Sequence, residues 1–427
     1  MQIQANEIKI SSCQSGLTQN AAIWLVFIAR VTCRYARRMG NQAAKNRAID
    51  VVRTAAALIV VMEHVRALFF RDWADVEHSP FNGAFYLVTG LGSSAVMVFF
   101  VLSGYLVGGG VVSRVRAGTF SWRDYLLRRV ARLWVALIPA VILAVATGWL
   151  IVALFPGTDV VQGAAGYHNV VRPTLTSTLD PLTALGNVFF LQGIVVPIIG
   201  TNGPLWSLAY EFWYYVLFPL LVVAILGGGV RVRITSAVLA MVVAVFVGPP
   251  ILVLFVVWLM GAAVAVWGEL ISAALRAAPA RARVARWASG AILTAALLVR
   301  ESGELPALVA QILVGVAATI LLATLLTDVP MTGLLMAPAR WLSAGAKSSY
   351  SLYVIHLPLA ILLAAIASPL VANRAAPNIV SVGIFLLITA ALVAAGWLFA
   401  KVTEAHTDRF QHALSRLVPT KPTTRVR

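Results

Sequence analysis

The chain has 427 residues, of which 60% are hydrophobic and 11% are charged, and its formal net charge is +17. Soluble domains carry about 25% charged residues, so this composition excludes an ordinary soluble protein and indicates a polytopic membrane protein. The basic residues stand between apolar segments and do not interleave with aromatic residues in any soluble stretch, which argues against nucleic acid as a partner. We expect the lipid bilayer to be the partner, because cytoplasmic loops of membrane proteins carry an excess of basic residues.

Residues 1–46 form a basic N-terminal arm. We interpret this arm either as a disordered cytoplasmic or interfacial segment or, over residues 1–38, as an over-extended start, because Met39 precedes the first predicted span. Cys13 and Cys33 are the two cysteines. Their spacing fits neither a disulfide framework nor a zinc site, so the sequence predicts no metal.

The first predicted span covers residues 50–70, and about 20 helical residues match a hydrocarbon core of roughly 30 Å. It contains ionisable residues at Arg53, Glu63, His64 and Arg66. Ionisable side chains destabilise a spanning helix, so each of them indicates a function. Arg53 and His64 return to nearly the same helix face, with His64 roughly 16 Å further along the axis.

The second predicted span covers residues 86–111 and contains FFVLSGYL, in which we interpret Ser103 and Gly104 as small packing residues. The loop that follows is strongly basic and is therefore predicted to be cytoplasmic. Its arginines are Arg114, Arg116, Arg123, Arg128, Arg129 and Arg132. The run RRVAR at residues 128–132 is either a positive-inside anchor or an anion-binding site.

Residues 183–199 are apolar, but a crossing there would place the next basic loop on the wrong side of the membrane. We therefore predict a re-entrant or interfacial segment, which needs protein or a wet cavity around its backbone. The other predicted spans are residues 133–155, 205–226, 234–247, 251–267, 289–299, 306–326, 349–370 and 379–400. The predicted fold is all-α and polytopic, with about ten transmembrane helices and both termini cytoplasmic. We expect one membrane domain over residues 47–405 and a basic cytoplasmic tail over residues 406–427.

Two more ionisable residues lie at membrane depth. Glu211, in PLWSLAYEFWYYVLFP, lies about two turns into a predicted span, where a carboxylate must be paired, hydrated or protonated. His356, in SYSLYVIHLPL, either has a function or simply forms a hydrogen bond with a neighbouring helix.

Four motifs follow one another along the chain: Arg53 with ten residues before His64; FFVLSGYL followed by YLLRRVARLWVALIP; PLWSLAYEFWYYVLFP; and SYSLYVIHLPL with Glu404 after the last span. In this combination the chain resembles the acyltransferase 3 family of bacterial integral membrane acyltransferases over roughly residues 47–405. It departs from the family in Glu63 directly before the histidine, and in AYEFWYY where VEEQFY is more frequent. These departures bear on the acceptor and leave the class intact.

The resemblance implies transfer of an acyl group, usually acetyl, from cytoplasmic acyl-CoA to a hydroxyl of a polysaccharide or other glycan outside the bacterial cytoplasmic membrane. The essential arginine and histidine of the family correspond to Arg53 and His64. Its donor-associated arginines correspond to Arg129 and Arg132, with Arg128 as a companion. We therefore assign the four arginines to binding of acyl-CoA, which is a donor substrate and not a permanently bound cofactor.

Elementary chemistry fits these roles. A thioester is already reactive, so the enzyme must deprotonate a hydroxyl and stabilise an oxyanion, and imidazole suits the first task. His64 therefore acts either as general base or as a transient carrier of the acyl group. Planar guanidinium groups suit the phosphates of CoA. Glu211, predicted near the outer side, would orient the sugar hydroxyl or His64, so we predict His64 and Glu211 as the catalytic residues.

Two other classes of protein remain open. A non-enzymatic transporter or flippase for a lipid-linked saccharide or an acyl donor would show internal repeats, and none is convincing. A haem protein would use His64 and His356 as axial ligands and would be coloured. No pattern in the sequence specifies the acceptor, the acyl chain length or the oligomeric state.

Overall fold

The computed structural model describes residues 47–162, 167, 175–326, 336–368 and 374–417. Within these residues the chain is almost entirely helical and contains no strand longer than an isolated bridge. The predicted all-α class is therefore confirmed. The predicted arm over residues 1–46 and the last ten residues of the predicted tail lie outside the described part of the chain.

Helix α1 covers residues 47–69. The helices that follow in the first half are α2 (Pro80–Thr89), α3 (Gly92–Arg116), α4 (Trp122–Leu154), α5 (Asp159–Gln162), α6 (Pro181–Val188) and α7 (Leu205–Leu226). Those in the second half are α8 (Val230–Arg276), α9 (Pro279–Glu301), α10 (Ala307–Leu325), α11 (Met336–Gly345), α12 (Ser349–Ala367), α13 (Ile379–Val402) and α14 (Thr407–Leu417).

Eight helical segments in the described part of the chain are long and apolar enough to cross a membrane. They are Pro80–Arg116, Trp122–Leu154, Leu205–Leu226, Val230–Gly268, Ala280–Glu301, Ala307–Leu325, Ser349–Ala367 and Ile379–Leu417. The protein is thus a multi-pass membrane protein. The sequence predicts about ten spans, and the difference lies in α1, whose ionisable residues reduce its apolar character, and in α8, which contains two predicted spans.

Helix α8 consists of two legs that meet at Gly248, whose φ of 75° and ψ of 175° are not helical. Glycine adopts a positive φ without the steric penalty that a Cβ would bring. The first leg begins beside the end of α7, where Arg233 Nε donates to the carbonyl of Ala224 at 3.1 Å. It ends beside the first half of α7, where Phe246 contacts Trp213 with ring centroids 5.3 Å apart. The first leg therefore runs antiparallel to α7.

The second leg of α8 runs parallel to α7. Phe255 contacts Tyr214 with ring centroids 5.0 Å apart, and Trp258, further along the leg, contacts Phe218, further along α7, at 4.9 Å. The chain therefore reverses direction at Gly248 and the two prolines that follow it. The sequence predicts a turn between two spans at this point, and the structure contains that turn within what is otherwise one continuous helical segment.

The sequence predicts that residues 183–199 do not span the membrane, and the structure contains no spanning helix there. Helix α6 ends at Val188, and irregular backbone follows it. The fully buried Asn187 side chain satisfies part of that backbone: Nδ2 donates to the carbonyl of Pro197 at 2.9 Å, and Oδ1 accepts from the amide of Ile199 at 3.1 Å. Irregular backbone at membrane depth requires this kind of internal partner.

Helices α3 and α8 approach so closely that their contact requires glycine. A Cβ on Gly104 would lie 1.9 Å from the carbonyl oxygen of Trp258, and a Cβ on Gly261 would lie 1.9 Å from the carbonyl oxygen of Val101. Small residues at such contacts let two helix backbones pack against each other. The predicted packing role of Gly104 is confirmed, and the contact fixes α3 beside the second leg of α8.

Helices α1 and α12 run side by side in the same direction. Gly345, just before α12, lies against Thr54 near the start of α1, since a Cβ on this glycine would meet Thr54 Cγ2 at 2.8 Å. Phe70, just after α1, pairs with Ala375, beyond the end of α12. The starts of the two helices are therefore neighbours, and so are their ends.

The described part of the predicted tail is helical. Helix α14 packs against the start of α4, where Arg123 Nη2 donates to the carbonyl of Ser415 at 2.9 Å. No sequence pattern predicts this helix, because its residues are polar and follow the last apolar segment.

Candidate active site

A cavity of about 820 Å³ lies between α1, α3, α4, α7, α12 and the end of α13. Of the six predicted site residues, five line it: Arg53, Arg128, Arg129, Arg132 and Glu211. The other charged side chains in its lining are Asp50, Lys347, Lys401 and Glu404. Six of these nine groups are basic and three are acidic, so the cavity is suited to an anionic ligand.

Arg53 is the basic residue that α1 contributes to the cavity lining. Its Nη1 lies 4.0 Å from Oδ1 of Asp50, one turn away, and the two side chains are 20% and 37% exposed. An ion pair as long and as exposed as this is worth roughly 0–1 kcal/mol. Asp50 therefore orients Arg53 without neutralising it.

Arg129 is held by aromatic rings. Its guanidinium carbon lies 5.7 Å from the ring centroid of Tyr125 and 5.5 Å from that of Tyr215. Its Nε is buried and has no hydrogen-bond partner among the described residues. Cation–π contacts use the face of the guanidinium, and they leave the N–H groups at its edge available. Arg129 is therefore positioned without consuming the donors that would bind a phosphate.

Glu211 is the centre of a polar cluster at the cavity wall. The hydroxyls of Ser103 and Tyr215 both donate to its Oε1, the first at 2.6 Å. Trp258 Nε1 in turn donates to Ser103 Oγ at 3.1 Å. The carboxylate is thus fixed by two donors from two helices, α3 and α7, as a carboxylate in a spanning segment requires.

The surroundings of Glu211 differ from those that the sequence suggests. The sequence predicts that Glu211 orients the sugar hydroxyl or His64, and the structure places it in the cavity that the four arginines line. Ser103, interpreted as a packing residue, also contributes a hydroxyl to this cluster. Neither contact has a sequence signal, because Ser103 and Glu211 are 108 positions apart.

His64 and His356 form a second polar centre. Nε2 of His356 lies 3.1 Å from Nδ1 of His64, and the two ring centroids are 5.0 Å apart. His356 is fully buried, whereas His64 is partly exposed. Sequence reasoning identifies both histidines but not their contact, because the residues are 292 positions apart.

Neither histidine belongs to the lining of the cavity. Tyr353 lines the cavity and stands next to His356, with ring centroids 5.9 Å apart. Its hydroxyl is fixed by Ser207 Oγ at 2.6 Å, and its ring packs against Phe99 at 5.8 Å. Tyr353 therefore separates the basic cavity from the histidine pair in this conformation.

Glu63 and Arg66, the other ionisable residues of α1, face the start of α3 and the end of α2. The Glu63 carboxylate accepts a hydrogen bond from the amide of Gly92, and the Arg66 guanidinium lies over the ring of Tyr86, 5.3 Å from its centroid. These contacts give both side chains a structural role at the end of α1 that is distant from Arg53.

The fold and the cavity together define a multi-pass helical membrane protein with an internal basic site beside a histidine pair. The acyltransferase 3 family, described as an acyltransferase domain, matches residues 46–401, and the chain belongs to this family. The predicted resemblance is confirmed.

Two curated proteins are similar to parts of the chain. The O-acetyl transferase of Shigella phage Sf6 is 29% identical over 182 residues, which are 40% of this chain and 45% of that protein. An uncharacterized protein of Haemophilus influenzae is 28% identical over 131 residues, which are 30% of this chain and 47% of that protein. The chain thus spans just under half the length of the curated relatives it matches. No solved structure matches it significantly.

Proposed function

We propose that this protein is a membrane O-acyltransferase that moves an acyl group, acetyl in the simplest case, from acyl-CoA to a hydroxyl of a glycan. One observation carries the proposal: in a chain of an acyltransferase family, residues from six helices converge on one basic cavity. The name of the phage relative, an O-acetyl transferase, supports oxygen as the acceptor atom and acetyl as the group.

The basic cavity is the proposed site of the donor. Its volume of about 820 Å³ lies within the range of small-molecule sites, roughly 300–1,000 Å³. Arg53, Arg128, Arg129 and Arg132 would bind the phosphates of CoA, because a guanidinium edge matches phosphate oxygens in pairs. The aromatic support of Arg129 fits this role, since it holds the charge in place and leaves the edge free.

His64 is the proposed catalytic base, or alternatively the group that carries the acyl chain between donor and acceptor. It is the partly exposed member of the histidine pair, so a substrate can reach its ring. Tyr353, whose ring packs against Phe99, lies between the donor cavity and this pair. The thioester would therefore reach His64 when these two rings move apart, and Glu211 would act from the cavity side, through its fixed carboxylate.

The proposed orientation places the basic cavity at the cytoplasmic side of the bacterial inner membrane, where acyl-CoA is made. The arginine-rich loop between α3 and α4 supports this orientation through the positive-inside rule. The acceptor glycan would then meet His64 from the opposite side.

The test is the ester content of surface glycans, measured by mass spectrometry in a host strain that lacks the gene. The strain is complemented with wild type, His64→Ala, Arg53→Lys or Arg116→Lys at matched membrane levels. Arg116 is an exposed residue at the end of α3 that does not line the cavity, so it controls for loss of an arginine. We expect one acyl mass increment to disappear in the deletion strain, and wild type and Arg116→Lys to restore it.

The two site variants should restore little or none of that increment. Full restoration by His64→Ala would contradict the catalytic assignment. A deletion strain with an unchanged ester content, but with altered export of the glycan itself, would favour a transporter over a transferase.

A further inference from the structure

We propose that His356 is a positioning residue that holds His64 in one neutral tautomer, with the proton on Nδ1, and thereby makes Nε2 of His64 its reactive nitrogen. This inference rests on the proposed acyltransferase function for its chemical meaning. The geometry that supports it is independent of that function.

The proton on His356 can be assigned from its surroundings. Nδ1 of His356 lies 2.8 Å from the carbonyl oxygen of Tyr353 and 3.1 Å from that of Leu352. A carbonyl oxygen only accepts hydrogen bonds, so Nδ1 must be the donor. A neutral imidazole carries one N–H, and Nε2 of His356 is therefore an acceptor.

This acceptor points at His64. Nε2 of His356 lies 3.1 Å from Nδ1 of His64, and the carbonyl oxygen of Val60 lies 2.9 Å from the same nitrogen. Both neighbours of Nδ1 are acceptors, so this nitrogen carries the proton. Nε2 of a neutral His64 consequently holds the free lone pair.

The opposite assignment would satisfy the contact between the two rings, but it fails at all three carbonyl oxygens. With the protons on the Nε2 atoms, Nδ1 of His64 would present a lone pair to the carbonyl of Val60, and Nδ1 of His356 would present one to two further carbonyls. His356 is 0% exposed, so water cannot relieve the two repulsions at its own Nδ1. A buried polar group that lacks its partner is strongly unfavourable.

The free nitrogen is also the accessible one. Among the described residues none forms a hydrogen bond with Nε2 of His64, and His64 is a partly exposed residue. In the base reaction, the acceptor O–H bond breaks and its proton moves to Nε2. The oxygen forms a bond with the carbonyl carbon of the thioester, the C–S bond breaks, and the proton on Nε2 then passes to the departing thiolate of CoA.

The tautomer can be measured directly by 15N NMR on protein labelled with 15N-histidine in lipid bilayers. The chain has six histidines, and comparison with His64→Gln identifies the His64 signals. We expect wild-type His64 to show a protonated Nδ1 and an unprotonated Nε2. We expect His356→Leu to add a population with the proton on Nε2. A protonated Nε2 in the wild type, or the same tautomer in His356→Leu, would overturn the inference.

A pair of variants separates positioning from packing. His356→Gln keeps an acceptor oxygen near the position of Nε2, whereas His356→Leu fills the space without one. For two variants that unfold at the same temperature in detergent, we expect His356→Leu to lower kcat about a hundredfold with an unchanged KM for acetyl-CoA. His356→Gln should retain most of kcat, and equal losses in both variants would contradict the proposal.

The two measurements also separate this inference from the proposed function. If wild-type protein transfers no acyl group from any acyl-CoA tested, the proposed function fails, and the NMR result alone decides the tautomer. If wild type is active and its His64 carries the proton on Nε2, the function stands and the role of His356 is wrong.

Discussion

Arg129 is supported by ring faces and not by a carboxylate, which has a consequence for substitution. Lysine keeps the charge, but it lacks the planar guanidinium that lies near the rings of Tyr125 and Tyr215. It also lacks an edge that donates two parallel hydrogen bonds. A conservative change is therefore not conservative at this position. If Arg129 binds the donor as proposed, the loss would affect binding of acyl-CoA more than the chemical step.

We predict that Arg129→Lys raises the KM for acyl-CoA about ten- to hundredfold and changes kcat little. This factor corresponds to the loss of one charge-assisted hydrogen bond of about 1.5–3 kcal/mol. Initial rates at varied acyl-CoA concentration measure this. Arg116→Lys, at an exposed position outside the cavity, should behave as wild type. A fall in kcat at unchanged KM would place Arg129 in the chemical step.

The role of a residue was predictable from the sequence where its own side chain determines the chemistry. It was not predictable where the role depends on contact with a residue far away in the sequence. The arginine run at residues 128–132 and the histidine at position 64 stand out against apolar neighbours, and the structure brings the arginines together. The hydroxyl of Ser103 and the imidazole of His356 acquire their roles from residues more than a hundred positions away. Periodicity and composition contain no information on such pairs.

At the scale of helices, the contact between α3 and α8 requires glycine at two positions. Gly104 and Gly261 let the two backbones meet, and α3 also carries Ser103, which fixes Glu211. Any separation of α3 from α8 would therefore disturb the cavity wall as well as the packing.

We predict that Gly104→Ala destabilises the protein by about 1–3 kcal/mol, because its Cβ would lie 1.9 Å from the carbonyl oxygen of Trp258 and the backbones must move apart. Unfolding in detergent, followed by temperature or denaturant, measures the change. Gly383→Ala in α13 is the matched control, since a Cβ there meets nothing within 4 Å and alanine favours a helix. Equal stability of the two variants would contradict the close approach.

For the whole molecule, the contacts fix which helix ends share a side. Helices α3 and α7 and the second leg of α8 run in parallel, so the loops after α3 and after α7 lie at the same face. The end of α9 lies at the opposite face, because Arg300 contacts Ser93 near the start of α3. The positive-inside rule predicts that the first face is the cytoplasmic one.

We predict that single cysteines at Ala117 and Gly228, in a chain with Cys13 and Cys33 replaced, react with a membrane-impermeant thiol reagent only after the membrane is opened. A cysteine at Ser302 should react in intact cells. Reaction of Ala117→Cys and Gly228→Cys from different sides would contradict the helix arrangement. Reaction of both from outside would reverse the orientation and leave the arrangement intact.

The architecture as a whole was largely predictable, because long apolar runs in the sequence predict membrane helices. The turn at Gly248 and the non-spanning character of residues 183–199 followed from glycine, proline and the alternation of charged loops. Helix α14 was missed because its stability comes from contact with α4, as in the bond from Arg123 to Ser415. The separation of cavity and histidine pair by Tyr353 depends on side-chain packing, and no local pattern encodes it.

Helix α1 carries both Arg53 and His64, and an α-helix does not stretch, so their axial separation is fixed at about 16 Å. If the phosphates of CoA bind at Arg53, the thioester carbon is carried toward His64 by a pantetheine arm that is identical in every acyl-CoA. The fixed separation along the helix would then set the position of the thioester carbon, whatever the length of the acyl chain. Discrimination between short and long acyl groups would then fall to the residues beyond His64, and a change of the transferred group would require no change in the basic cavity.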